Sequence, residues 1–86
     1  MHTFEIKEDL QKSLQKLAKK DKKLYESVMK KILQIASGPE IGKPLRNVLK
    51  GKRRVHIGHF VLIYSVDDNE KKVTFLDFEH HDKAYQ

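Results

Sequence analysis

The sequence predicts an α+β domain in two layers, with a helical hairpin packed on one face of a mainly antiparallel four-stranded sheet, in the order β-α-α-β-β-β. Three observations carry this. Apolar residues recur three and four apart between residues 6 and 36. After Gly51 the pattern changes to the strand-like runs KRRVHI, HFVLIYSVD and KVTFLDFE. The acidic stretch Asp67-Asp68-Asn69-Glu70 then divides those runs as a hairpin turn does.

Residues 2–6 (HTFEI) alternate and are rich in β-formers, which predicts a short first strand. From Lys7 the period lengthens: Ile6, Leu10, Leu14, Leu17 and Ala18 line one face of a helix from about Lys7 to Lys19. Asp21 is placed to cap a second helix. Its stripe is Leu24, Val28, Ile32 and Ile35, widened by Tyr25, Met29, Leu33 and Ala36. Gly38-Pro39 ends it. Residues 38–51 hold three glycines and both prolines and predict a loop, with a helical turn around Leu45–Leu49. Lys52–Ile57 is the next strand, Gly58 a turn or bulge, and His59–Asp67 a strand apolar on both faces and hence central. Lys72–Glu79 is the last strand, followed by the polar tail HHDKAYQ. With the hairpin on one face, the other face of the sheet is expected to be partly open.

A chain of 86 residues predicts one domain spanning residues 1–86, with no internal repeat or linker. At this size only roughly 60–65% of the unfolded surface is buried, so the stability margin is small. Cysteine is absent, which excludes disulfides, thiolate metal sites and thiol nucleophiles. The N-terminus MHTFEIKEDL has neither the basic start nor the apolar core of a signal peptide. No apolar run approaches the roughly 20 residues of a membrane span. A cytoplasmic protein without membrane contact is the expectation.

The formal charge is +6 and the pI about 9.6, which favours an anionic partner. The charge falls in three groups. Lys16, Lys19, Lys20, Lys22, Lys23, Lys30 and Lys31 lie on the helices, as a solvated face or as an aid in steering RNA. Lys43, Arg46, Lys50, Lys52, Arg53 and Arg54 fall within twelve residues with no acid among them. Alternation along the strand puts Lys52, Arg54 and His56 on one face, and Arg53, Val55 and Ile57 on the other. Several cations on one surface suit phosphate binding; the same charges also guard an edge strand against aggregation. The third group is His80, His81, Asp82 and Tyr85. Histidine titrates near neutrality and serves as acid or base. Tyr85 is placed to stack on a base or to pack the tail on the sheet. Four closed metal ligands are not in view, so neither metal nor cofactor is expected.

The segment KPLRNVLKGKRRVHIGHFVLIYSV, the acidic turn, and a strand closing on HHDKAY together resemble the RelE/ParE toxin superfamily, and within it the RelE-type mRNA interferases. The likeness covers almost the whole chain. It implies a toxin of a type II toxin–antitoxin pair, held inactive by a RelB-like antitoxin. It implies a ribosome-dependent endoribonuclease acting on mRNA in the ribosomal A site, with contacts to 16S rRNA. No metal is required in such enzymes: the 2′-hydroxyl attacks the neighbouring phosphate and leaves a cyclic phosphate and a free 5′-hydroxyl. A base, cations facing the phosphorus oxygens, and an acid are what that reaction needs.

By the resemblance, Arg46 matches the arginine of the family's "KLR" loop and contacts RNA. Arg54 and His56 match two basic strand positions, as charge stabiliser and candidate base. His80 and His81 fall near the basic residue of the last strand, one of them a candidate acid or charge stabiliser. Tyr85 matches a tail tyrosine that stacks on or orients the substrate. One position departs from the pattern G-x-Y-R-x-x-Y: in Gly58-His59-Phe60-Val61-Leu62-Ile63-Tyr64, Val61 replaces the arginine. Loss of such a partner costs on the order of 100-fold or more, so His56, His59 or a tail histidine compensates, or the activity is weak or different. A ParE-like gyrase inhibitor and a catalytically weak RNA-binding module are the alternatives on the same scaffold. An open sheet face beside a basic groove also suits wrapping by an acidic, partly disordered peptide, as an antitoxin would supply.

Overall fold

The structure, a computed structural model, describes residues 2–45 and 51–84, the last two of these by backbone alone. Strand β1 (Thr3–Ile6) leads into helices α1 (Glu8–Lys20) and α2 (Lys22–Ser37). A 3-10 turn (Pro39–Ile41) and the two-residue strand β2 (Lys43–Pro44) follow. Strands β3 (Lys52–Ile57), β4 (Phe60–Asp67) and β5 (Lys72–His80) complete the sheet, and a short helix α3 (His81–Ala84) ends the description.

The helical hairpin forms where the periodicity places it. Asp21 caps α2, accepting from the Leu24 amide at 3.1 Å. Glu8 and Asp9 in the first turn of α1 and Lys19 and Lys20 in its last complement the helix dipole. Leu10, Leu14, Val28, Ile32 and Ile35 bury their stripe against Ile57, Leu62, Tyr64, Val73 and Phe75 of the sheet, which makes one core between two layers.

The sheet has five strands, ordered β1-β5-β4-β3-β2, rather than the four expected. The extra one is β2, whose Lys43 and Pro44 pair with Arg54 and Arg53. Its cause is long-range. The buried Tyr64 hydroxyl donates to the Pro39 carbonyl at 2.5 Å and accepts from the Gly42 amide at 2.9 Å, which brings the chain back along β3. A Cβ on Gly42 would stand 2.1 Å from that hydroxyl, so only glycine allows the approach. Pro44 sits on the sheet's outer edge, where its missing N–H costs no ladder bond. β3 is therefore not the edge strand that the guarding role of its charges presumed. At the other edge β1 joins β5 in parallel, the one parallel pairing among the described residues, which the intervening helices make possible.

β4 is central and buried on both sides, as its composition requires: Leu62 and Tyr64 face the helices, while Val61 and Ile63 are buried on the far face. Gly58, at φ +61°, makes the tight turn between β3 and β4. In β5 a bulge leaves Leu76 without an opposite partner: Tyr64 pairs with Phe75 but Ile63 with Asp77. The extra residue lets Phe75 and Phe78 both turn toward the helices. It also sets the faces of everything beyond it, since a one-residue slip exchanges them. Among the described residues no helix is long and apolar enough to cross a membrane.

Candidate active site on the far face of the sheet

The face away from the helices gathers basic side chains from two neighbouring strands, β2 and β3. Lys43 pairs with Arg54, Arg54 with Ile63, and His56 with Val61, and partners in register share a face. Buried Val61 and Ile63 form the floor, and Arg54 and His56 stand beside it. Next along the same face, the bulge register brings Asp77 opposite Ile63 and Glu79 opposite Val61. Two residues past Glu79, His81 stacks on His56 with ring centres 5.3 Å apart and planes 27° apart. The His81 amide donates to the His59 carbonyl at 2.9 Å, which ties the start of α3 to the β3–β4 turn.

The electrostatics of His56 follow from its neighbours. A guanidinium nitrogen of Arg54 meets its Nε2. Desolvation, then the positive charges of Arg54, His81 and Lys43, hold its pKa below the usual histidine value. The ring is thus neutral near pH 7 and able to accept a proton, beside a fixed cation and a second imidazole.

Lys43, Arg54, His56 and His81 are brought together. Lys52 shares the face but lies at the opposite end of β3, across from Ser65. Arg53 turns to the helix side, where its guanidinium donates to the Gly42 carbonyl at 2.7 Å and braces the loop. His80 parts from His81: it pairs with Phe60 and stacks on His59 at 6.3 Å, on the helix side of the sheet. Asp82 reaches toward both, at 3.7 Å from His80 Nδ1 and 3.9 Å from His81 Nδ1. The lysines of α1 and α2 belong to the helical layer and stand apart from the cluster. Arg46, Lys50 and Tyr85, and nearly all of the helical turn expected at Leu45–Leu49, lie outside the described residues. Among the described residues no group of three or more His, Asp or Glu side chains is arranged to hold a metal ion.

Sequence reasoning did not single out Asp77 and Glu79. Their place on this face depends on the Leu76 bulge, which no local signal marks. Val61, where the superfamily pattern has arginine, is fully buried between His56 and Glu79. The cations nearest this position come from the neighbouring strand.

Comparison with known proteins agrees with this architecture. Residues 4–85 match the family described as ParE toxin of type II toxin-antitoxin system, parDE. The chain is 46% identical over its whole length to a candidate toxin, RelE4, of Methanocaldococcus jannaschii, and the match covers 93% of that protein. Among solved structures, the RelBE2 toxin–antitoxin complex of Mycobacterium tuberculosis contains a chain that superposes with a TM-score of 0.80 at 26% identity, over 93% of this chain and 98% of that one. The Escherichia coli RelBE complex shares the fold, with a TM-score of 0.77 at 20% identity over 93% and 96%. Family, relative and fold agree: the chain belongs to the RelE/ParE superfamily and is a toxin of a type II toxin–antitoxin system.

Proposed function

We propose that this toxin is a ribosome-dependent endoribonuclease that cuts messenger RNA in the cytoplasm, with the codon in the ribosomal A site and without a metal ion. The observation that carries the reading is the His56 ring, held below its usual pKa beside Arg54 and under the stacked His81. In this reading His56 takes the proton from the 2′-hydroxyl, and that oxygen attacks the adjacent phosphorus. Arg54 and Lys43 face the added negative charge, and His81 gives a proton to the departing 5′-oxygen. A 2′,3′-cyclic phosphate and a 5′-hydroxyl remain. In this reading His56 and His81 are the two proton-transfer groups that general acid–base cleavage of a phosphodiester requires, with Arg54 and Lys43 beside them. Arg46, Lys50, Lys52 and Tyr85 are assigned to holding the RNA, 16S rRNA is a further contact, and an acidic RelB-like antitoxin covers the basic face at rest.

The test maps 5′ ends on translated messages after induction of the wild type, Arg54→Ala and His81→Ala. Discrete cuts at A-site codons are expected for the wild type, with both variants reduced on the order of 100-fold. Cutting that persists unchanged in both removes these assignments.

A second reading has its own support. The family matched bears the ParE name, and Val61 puts an apolar residue where an arginine would serve RNA cleavage. Inhibition of DNA gyrase is then the activity. Loss of supercoiling by purified gyrase with added toxin, with messages left intact, would select it.

A further inference from the structure

On the face opposite Arg54 and His56, four rings form a continuous ladder that the proposed chemistry does not use. Phe78 and Phe60 stack with centres 5.0 Å apart and planes at 15°. Phe60 meets His80 edge-on at 5.6 Å. His80 in turn lies nearly parallel to His59, at 6.3 Å and 16°. The ladder grades from inside to outside. Phe78 packs against the core, Phe60 is half-buried, and His80 and His59 are exposed. The Phe60–Phe78 stack is enough to close this end of the sheet, whereas two exposed imidazoles add little to a core. Their rings are nonetheless held nearly parallel, on exposed residues at the rim of the sheet.

We infer that His59, Phe60, Phe78 and His80 form a stacking ledge for unpaired nucleobases of the RNA whose phosphates meet Arg54 and His56. The inference rests on the RNA reading above and deepens it. Two observations choose RNA as the occupant. The ledge is continuous with the cationic face: His80 and His81 are successive residues, and the His81 amide bonds to the His59 carbonyl, so both surfaces meet at the β3–β4 turn. A strand rounding that turn places its backbone against the cations and its bases against rings. The chain's +6 charge attracts such a polyanion, and aromatic or imidazole faces accept any base because every base has a π-face. A protonated imidazole would stack as well, with added cation–π attraction.

The experiment measures binding rather than cleavage, at one fixed salt concentration. The whole chain is titrated with a short RNA of unpaired adenosines and with an abasic ribose-phosphate strand of equal length. The wild type should bind the base-bearing strand more tightly. His59→Ala combined with His80→Ala should weaken that binding about tenfold and leave the abasic strand unaffected. His59→Tyr combined with His80→Phe, which keeps two rings, should retain the affinity. Unchanged melting temperatures confirm that all variants fold, and Arg54→Ala should weaken both strands alike. Equal weakening on both strands by the alanine pair would make the histidines mere charges and overturn the inference alone. So would an alanine pair that binds both strands normally, or one that loses affinity for an acidic antitoxin peptide instead of RNA. A wild type that binds neither strand overturns this inference, whereas the RNA reading itself falls only if the 5′-end map shows no cutting.

Discussion

β4 carries two different kinds of surface one residue apart. On the helix side Leu62 and Tyr64 are sealed in the core, and even the Tyr64 hydroxyl has both a donor and an acceptor. On the far side Val61 and Ile63 are buried too, but what stands beside them is Arg54, His56, Asp77 and Glu79. The first surface is held by packing and by satisfied polar groups, so changes there alter the fold. The second sets charges and imidazoles against a rigid floor, so changes there alter chemistry while leaving the floor in place. A small domain cannot spread these tasks over separate layers, and alternation lets one strand serve both.

The sharpest way to break this comparison is to substitute both surfaces in parallel. Tyr64→Ala opens a cavity in the core and leaves the Gly42 amide without its partner. A loss of about 3–5 kcal/mol is expected, a large share of the roughly 5–15 kcal/mol that such domains possess. Thermal unfolding should show it as a fall of about 4–8 °C per kcal/mol. Arg54→Ala should leave the melting curve within about 0.5 kcal/mol of wild type and reduce message cutting on the order of 100-fold. Were Arg54→Ala to unfold the protein as Tyr64→Ala does, the far face would be structural and the division between surfaces would fail.

How much of this could be read from residues alone follows the same division. The two helices, the Asp21 cap, the bounds of β3 and the central place of β4 rest on local periodicity, and the structure agrees with each. The likeness to the superfamily was legible in the order of short motifs. What alternation could not supply was register across strands. The Lys43–Pro44 strand is made by a hydroxyl some twenty residues away, in a stretch whose glycine and proline signal only a loop. Arg53 read as one more phosphate contact, yet it braces that loop. His80 and His81 read as a pair, and the bulge at Leu76 decides which of them reaches His56.

Tyr64→Phe sharpens the link between the two surfaces with a smaller effect. The ring still fills the core, but the Gly42 amide loses its acceptor and the Pro39 carbonyl its donor. A buried group left unpaired costs about 1–3 kcal/mol. The loss should be concentrated between Pro39 and Pro44, where hydrogen exchange at Gly42 should quicken while the amides of α2 keep their protection. Because Lys43 is next in the chain and pairs with Arg54, RNA affinity should fall too. A variant with an unchanged exchange rate at Gly42 would separate the hydroxyl from the placement of Lys43.

The smallest expected effect tests the far face from within. His56 titrates below its usual 6.5 because of desolvation first, then the charges of Arg54, His81 and Lys43. A histidine whose pKa is depressed by folding favours the fold in its neutral form. That contribution is complete above pH 6.5 and is lost as the pH falls through the lowered value. Melting temperatures measured across this window should therefore decline more steeply on acidification for the wild type than for His56→Gln, and the two curves should run parallel above it. Arg54→Gln should move the His56 ring-proton titration in NMR back toward 6.5 without restoring it, because desolvation and the other two cations remain. If the His56 titration stays where it was, Arg54 exerts no field on the imidazole and the cluster on this face is proximity without coupling.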